Sequence, residues 1–323
     1  MITGILCTIR KEPCFDWMAD SLVHNLRLLS QNHPNVSFEL IVVDGQLWYE
    51  PNRREKLSDA VRGRFSFRHV EPKPCAWQGP HRITKRDYYG LCNARNTGLA
   101  FAQGQRIVLL DDCSVLDETF LEHHYWAHLK KVAVAGAFRS YTKAEVVDGQ
   151  IGAHELHPSG IDKRAESATP CSGGWMYGLN VSFSIEMAEA VNGYEEFFDG
   201  QGGSEDCHFG IRVEKAGFPV YYYPDCIVHQ ILEHHEPVCE TSAWGRPQPR
   251  PQKERVLGDG KPHFANEFLI QEWFKKPYVR SIHGGTHERP EFDLHELRKT
   301  GKFPTVRATT HDWRDGQPLA EME

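Results

Sequence analysis

The sequence has no long apolar run, no paired cysteine motif and no excess of positive charge, and each absence removes a class of function. No stretch approaches the roughly 20 consecutive apolar residues that a membrane-spanning helix needs. Nine cysteines are scattered over 323 residues, odd in number and without a CxxC pair. This argues for reduced thiols and against a disulfide framework or a zinc knuckle. Lys plus Arg total 37 against 44 Asp plus Glu, a net charge of −7. No global field therefore draws the chain to nucleic acid or to an anionic membrane. The 18 histidines include no HExxH, and His124 and His128, beside Trp126, read as surface or partly buried side chains. The glycines around Gly200 do not make a dinucleotide fingerprint, and neither a P-loop nor a GxSxG elbow occurs. Met1 to Arg10 carries a short apolar run with no basic residue ahead of it. It reads as a first strand rather than a secretion signal, which leads to the expectation of a cytoplasmic protein.

What is present is an alternation of strand-like and helix-like stretches. Residues 2–9 read as a buried strand, 16–29 as a helix with Trp17, Leu22, Leu26 and Leu29 on its apolar face, and Phe38 to Val43 as a second strand ending in Asp44-Gly45. Strand, helix, strand is a βαβ unit and predicts parallel pairing. A helix within 53–62, a strand over 65–70, a loop over 71–89 and a helix over 91–102 follow. Further on, a helix over 116–132 with Asp117 as its cap precedes a strand over 132–138. Residues 139–170 read as an irregular polar excursion. A glycine-rich stretch, Cys171 to Asn180, leads to a strand over 181–185, a helix over 186–191 and a turn at Asn192-Gly193. A helix over 207–215 is stopped by Gly217, and strands follow over 219–223 and 227–229. The expected architecture is α/β, with a mixed, mostly parallel central sheet flanked by helices. The composition shifts near residue 236, so a domain over 1–235 and an extension over 236–323 are expected, the extension packing on the first domain or covering its acceptor site. Within the extension, Arg246 to Pro251 reads as polyproline-like chain and 263–276 as a docking helix.

The chemistry collects at strand ends. Gly104-Gln-Arg-Ile-Val-Leu-Leu-Asp-Asp-Cys113 runs four apolar residues, Ile107 to Leu110, straight into two carboxylates. In open α/β sheets the carboxyl ends of strands are where ligands bind. Adjacent carboxylates repel unless a cation or hydrogen-bond donors lie between them, although Asp also commonly caps helices and turns after strands. Asp44, Asp111 with Asp112, Glu205 with Asp206, and His229 together suit metal-assisted transfer from a nucleotide-linked donor. A divalent cation neutralises a diphosphate leaving group, while a separate carboxylate takes a proton from the incoming hydroxyl.

The order of these features resembles a GT-A fold glycosyltransferase of the nucleotide-sugar-dependent class that includes the family-two enzymes. The resemblance covers about residues 1–232. It is carried by Thr8-Ile9-Arg10, by Val42-Val43-Asp44-Gly45, by Asn93-Ala-Arg-Asn-Thr-Gly98, and by Leu110-Asp-Asp-Cys113, which is similar to a DxD-type metal motif. It continues through Asn180 to Ser184, Asn192-Gly-Tyr-Glu195 and Gly203-Ser-Glu-Asp206, then Arg212, Gly217 and His229. The resemblance implies that Thr8, Arg10, Asp44, Arg95 and Asp111 hold the nucleotide, and that Asp112 and His229 hold a divalent metal, Mn2+ or Mg2+. Asp206 would be the base of an inverting displacement, with Glu205 beside it. Gly174, Trp175 and Tyr177 would meet the sugar or acceptor. The implied partners are a UDP- or GDP-linked donor and a hydroxyl acceptor. Cys113 stands where a third acid is expected, and soft sulfur suits Mn2+ poorly. That departure keeps a second expectation open, a catalytically weak nucleotide-sugar-binding protein. A third is a transferase acting on modified bases in DNA through Lys73, Arg82, Lys85 and Arg86. Beside His229, His234-His235-Glu236 is a spare ligand candidate.

Overall fold

The computed structural model describes residues 1–10, 13–47, 52–53, 66–73, 90–195, 205–234 and 293–301, together with the backbone of 254–256 and 262–264. The first half follows the expected βαβ logic. Strand β1 (Ile2–Thr8), helix α1 (Phe15–Asn32), β2 (Phe38–Asp44), β3 (Ser66–Val70), α2 (Leu91–Phe101) and β4 (Arg106–Leu110) come in that order. They are followed by β5 (Ser114–Leu116), α3 (Phe120–Leu129), β6 (Ala133–Val147), β7 (Gln150–Ile161) and β8 (Thr169–Pro170). A 3-10 turn (Gly173–Trp175), β9 (Val181–Ser184), α4 (Ile185–Ala190), α5 (Glu205–Lys215) and β10 (Val220–Ile231) follow. The strand order is β3-β2-β1-β4-β9-β6-β10-β5, with β7 on β6 and β8 on β10. β3, β2, β1 and β4 run parallel, as do β6 and β10, while β9 joins the two groups antiparallel.

Both faces of the sheet are covered, which is why β1, β2 and β4 read as continuous apolar runs. Alternate residues divide between two cores. Ile5, Ile41, Val43, Ile107 and Leu109 pack with Leu99 of α2, Met187 of α4 and Phe209 of α5. Leu6, Leu40, Val42, Val108 and Leu110 pack with Met18 and Leu22 of α1 and Phe120 of α3. The buried face of α1 is turned from the expected one: Met18, Leu22, Asn25 and Leu29 go inward and Trp17 stays at the edge. Asn25 explains the turn. It donates to Asp117 O (2.9 Å) and accepts from Leu121 N (2.9 Å), tying α1 to the start of α3.

Residues 139–170 differ from expectation. β6 and β7 form a long antiparallel hairpin whose turn, Asp148 and Gly149, takes φ of 49° and 72°. Two successive positive φ values are what a two-residue hairpin turn needs. Val146 and Ile151 pack with Trp17, Val115, Tyr141 and Ile231, so the hairpin folds back onto α1. The C-terminal extension contributes α6 (Leu294–Thr300), whose Leu294 enters the main core. Arg298 Nη1 donates to Leu99 O (2.6 Å) and Ala102 O (2.7 Å), placing a cation at the carbonyl end of α2. Residues 262–264, where a helix was expected to begin, are extended and pair with 254–256. The helix expected within 53–62, apart from Arg53, the rest of the helix expected over 263–276, and the 246–251 segment lie outside the described residues. Among the described residues no helix is long and apolar enough to cross a membrane.

Candidate functional site

Parallel register assembles the first cluster. β1 pairs with β4 so that Leu6 faces Leu110, which brings position 112 alongside Thr8, two residues on in each strand. Thr8 Oγ1 donates to Asp112 Oδ2 at 2.5 Å. Arg10 Nε donates to Asp112 Oδ1 at 3.0 Å, and Arg10 N donates to Thr8 Oγ1 at 3.2 Å. Asp111 accepts from Cys113 N at 3.2 Å and turns the chain. Burial, and then the neighbouring Asp111 charge, push the Asp112 carboxyl up to about 6. Cys113 is buried with its thiol against that of Cys14. That contact, and then burial, oppose deprotonation of the Cys113 thiol.

Asp44 ends β2 opposite Thr8. It is fully buried and accepts from Arg53 Nε (2.6 Å) and Gln46 N (2.9 Å), with His69 Nε2 at 3.0 Å. Arg53 also donates to Arg10 O, and Gln46 Nε2 to Ile9 O (2.8 Å). Asp44 thus organises the segment that carries Arg10. Neither Arg53 nor His69 was singled out from the sequence, where each is one polar residue among many.

The second cluster forms where α2 meets α5. Arg95 Nη1 donates to Glu205 Oε1 at 3.0 Å, both side chains being buried. The Arg95 guanidinium also lies over the Tyr194 ring, 4.9 Å from its centroid. Burial, and then Asp206, push the Glu205 carboxyl up, against the pull of Arg95. Asp206 is half-buried in the first turn of α5, not ahead of it as a cap. Its Oδ2 accepts from Gly178 N at 2.6 Å and its Oδ1 from Cys207 N at 2.7 Å. α2, which carries Arg95, packs on β1, which carries Thr8, with Gly98 lying directly against Ile5.

His229, on β10 opposite Val115 of β5, has partners outside both clusters. Its Nδ1 lies 2.9 Å from Tyr141 Oη and its Nε2 3.3 Å from Asp117 Oδ1. Among the described residues no group of three or more His, Cys, Asp or Glu side chains stands together to hold a metal. His124 is fully buried rather than near the surface, bridging Ser182 Oγ (2.5 Å) and Cys226 Sγ (3.4 Å). Of the basic patch, Lys73 is buried, and Arg82, Lys85 and Arg86 lie outside the described residues, as do His235 and Glu236.

No protein-family model matches the sequence, and no curated protein matches it. Solved structures do. S. aureus TarS 1-349 in complex with UDP-GlcNAc superposes with a TM-score of 0.53 at 10% identity, over 84% of this chain and 65% of that one. The same protein in complex with UDP gives 0.51 at 12% identity, over 71% of this chain and 60% of that one. The mannosyltransferase PcManGT from Pyrobaculum calidifontis, in complex with GDP-Man and Mn2+, gives 0.46 at 16%, over 71% and 56%, too loose a likeness to argue from. The chain has the GT-A glycosyltransferase fold. It spans less than two thirds of the TarS chains it matches.

Within the GT-A fold, the glycine-rich stretch supplies a wall of the second cluster. Gly173, in the 3-10 turn, sits directly on α5: a Cβ there would come within 2.0 Å of Gly210 O. Ser172 Oγ accepts from Gly174 N, and Gly173 N donates to Glu214 Oε2 at 2.7 Å. Gly173→Ala is therefore expected to destabilise the fold by about 1–3 kcal/mol through overpacking. Chemical denaturation measures this, and a loss below about 0.5 kcal/mol, the size of an ordinary surface substitution, would show that the turn can move off the helix. Arg164, which sequence reasoning missed, pins the same wall. It pairs with Asp162 (Nη2 to Oδ2, 2.7 Å) and donates through Nη1 to Trp175 O (2.5 Å) and through Nη2 to Gly136 O (2.9 Å).

Proposed function

We propose that the protein transfers a sugar from a nucleotide-diphosphate sugar, UDP- or GDP-linked, to a hydroxyl acceptor, with inversion. The observation that carries this is the presence of two carboxylate sites on one GT-A fold, each held by its own donors: Asp112 with Thr8 and Arg10, and Asp206, on the Gly178 and Cys207 N–H groups, beside the Arg95–Glu205 pair. Thr8, Arg10 and Asp111 line the donor side, and Asp44 shapes it. Asp206 accepts the proton of the acceptor hydroxyl as its oxygen bonds the anomeric carbon. The bond from that carbon to the diphosphate oxygen breaks, and the diphosphate leaves beside Arg10. Positioning and charge neutralisation supply most of the rate.

A divalent cation fits this donor set. Two adjacent carboxylates, one of them raised by burial and then by the charge of the other, are relieved by a hard cation. Mg2+ is commonly held by one or two carboxylates, substrate phosphates and water rather than by an all-protein cage. Asp112, with Asp111 beside it, would hold the ion, which would offset the charge developing on the leaving diphosphate. His229, committed to Asp117 and Tyr141, is not needed in that set. Because a carboxylate binds the cation and a carboxylic acid does not, Mn2+ affinity in the presence of UDP or GDP should rise with pH through about 6 and level off above it. Calorimetric titration at stepped pH checks this. Binding that is unchanged in Asp112→Ala would end the metal proposal.

One arrangement favours a second reading, a nucleotide-sugar-binding protein with little turnover: Arg10 already lies on Asp112, and Cys113 replaces an acid. Slow hydrolysis of a nucleotide sugar that is lost in Asp206→Asn decides for the enzyme.

A further inference from the structure

Cys113 departs from the expected metal motif, and the proposed chemistry leaves it unused. The fold gives it a partner. Helix α1 runs alongside the segment from Cys113 to Asp117, in the same sense. Leu116 N donates to Ser21 Oγ at 3.1 Å, and Asn25 Nδ2 donates to Asp117 O at 2.9 Å. Cys14, the residue before α1, is seven positions before Ser21. That is two helical turns back along one face, about 10 Å. Cys113 is three residues before Leu116, at the head of β5. Three residues also reach about 10 Å. The two cysteines are therefore brought to one place, and the Cys14 thiol hydrogen-bonds that of Cys113. Cys113 is fully buried, whereas Cys14 is partly open to water. The first cluster adjoins them. Asp112 precedes Cys113, and Arg10, four residues before Cys14, donates through Nε to Asp112 Oδ1 at 3.0 Å. On the other side, Ile231 N donates to Cys113 O at 3.2 Å, which anchors the pair to β10.

Two thiols held in contact from separate elements are a dithiol that an oxidant can join, at an S–S distance of about 2.05 Å. We propose that Cys14 and Cys113 form a reversible disulfide, made by a small disulfide oxidant such as oxidised glutathione, and that this bond holds Asp112 on Arg10 and weakens donor binding. The weakening rests on the reading of Asp112 as the donor and metal anchor; formation of the bond does not. Cys14 Sγ, on the side that water reaches, loses its proton to solvent and attacks one sulfur of the oxidant. The S–S bond of the oxidant breaks and one glutathione thiolate leaves. Cys113 Sγ then attacks Cys14 Sγ, and the second glutathione leaves with the Cys113 proton. Two electrons and two protons have passed from the two thiols to the oxidant. The new bond ties the residue after Asp112 to a residue four beyond Arg10, so the Arg10–Asp112 ion pair becomes part of a closed ring. Asp112 can then turn to a cation or a diphosphate only by working against that ring. A thiol reductant reverses each step.

The test equilibrates the full chain with glutathione, from fully reduced to fully oxidised. Free thiols are then blocked with iodoacetamide, and the protein is digested without reductant for mass spectrometry. The peptides that carry Cys14 and Cys113 should be linked at the oxidised end and separate after dithiothreitol. On the same samples, the affinity for UDP or GDP with Mn2+ should be at least about fivefold weaker in the linked state. Dithiothreitol should restore it. Cys14→Ser, at a partly exposed position, should keep one affinity throughout. Cys113→Ala, which leaves Cys14 without its partner, should end with glutathione on Cys14. Absence of the linked peptides at the oxidised end, linkage of both cysteines elsewhere, or linkage with affinity unchanged within about twofold overturns the proposal. Linkage in a protein whose reduced form binds neither UDP nor GDP would uphold the dithiol site and sink the transferase reading instead.

Discussion

Asp206→Asn is expected to lower glycosyl transfer by about 10²–10⁴-fold, the range that a positioned general base supplies. The substitution is almost isosteric, and the surrounding structure is prepared to hold it. Cys207 N can still donate to the remaining amide oxygen, whereas the Gly178 N–H loses an acceptor, since an NH₂ group cannot accept. That is a modest structural cost against the complete loss of a proton acceptor. Nucleotide affinity should stay within about twofold, because an interaction made only at the reacting hydroxyl alters kcat rather than donor binding. The informative experiment pairs turnover of a nucleotide sugar with titration of UDP or GDP on the same preparation. Turnover retained within about tenfold would take Asp206 out of the role of base, and so would a product with retained anomeric configuration read by NMR. If turnover and nucleotide affinity fell together, the residue would be holding the site together rather than moving a proton.

How far the sequence led is set by physical differences between segments. β1, β2 and β4 were legible because a strand covered on both faces must be apolar throughout, so its ends are marked by the first polar residues, Asp44 and Asp111. Parallel pairing then followed from the βαβ unit. The β6–β7 hairpin was not legible by periodicity, because most of β7 is exposed on both faces and carries no alternation. Its one local signal was Asp148-Gly149, the dipeptide suited to a two-residue turn. The face of α1 was misread because the buried row includes Asn25, a polar residue buried only because Asp117 and Leu121 satisfy it. Asp117, expected as a helix cap, instead faces His229, while Thr119 takes the cap position without a side-chain bond. The carboxylates of the site were visible as residues. Their partners were not: Arg53 and His69 on Asp44, and Arg164 beneath Tyr177, come from segments with no periodic signal. Which donor meets which acid is decided by tertiary packing and has no local signature.

Arg95→Met is expected to destabilise the protein by about 3–5 kcal/mol, the cost of removing one partner from a buried ion pair. The methionine can fill much of the space left by the stem, so the loss falls on Glu205, which keeps its burial and loses its cation. The sign of the pH dependence follows from the direction of the Glu205 shift. Its carboxyl is already raised in the folded state by burial and by Asp206, and removing Arg95 raises it further. A carboxyl whose folded pKa lies above its unfolded value, near 4.3, contributes stability that is full below that unfolded value. The contribution is lost as pH rises through the folded one. The penalty should therefore be larger at pH 8 than at pH 5, and the double variant Arg95→Met with Glu205→Gln should lose most of this pH dependence. Urea unfolding of the single and double variants at the two pH values provides the measurement. A penalty below about 1 kcal/mol, the usual worth of an exposed pair, or one equal at both pH values, would mean that water reaches Glu205. The outcome also bears on the chemistry. Asp206 is adjacent to Glu205, and two unscreened carboxylates at one helix start would each oppose the ionisation of the other. Arg95 offsets that repulsion on the Glu205 side, so a stabilising pair in the core also fixes the carboxylate next to the proposed base.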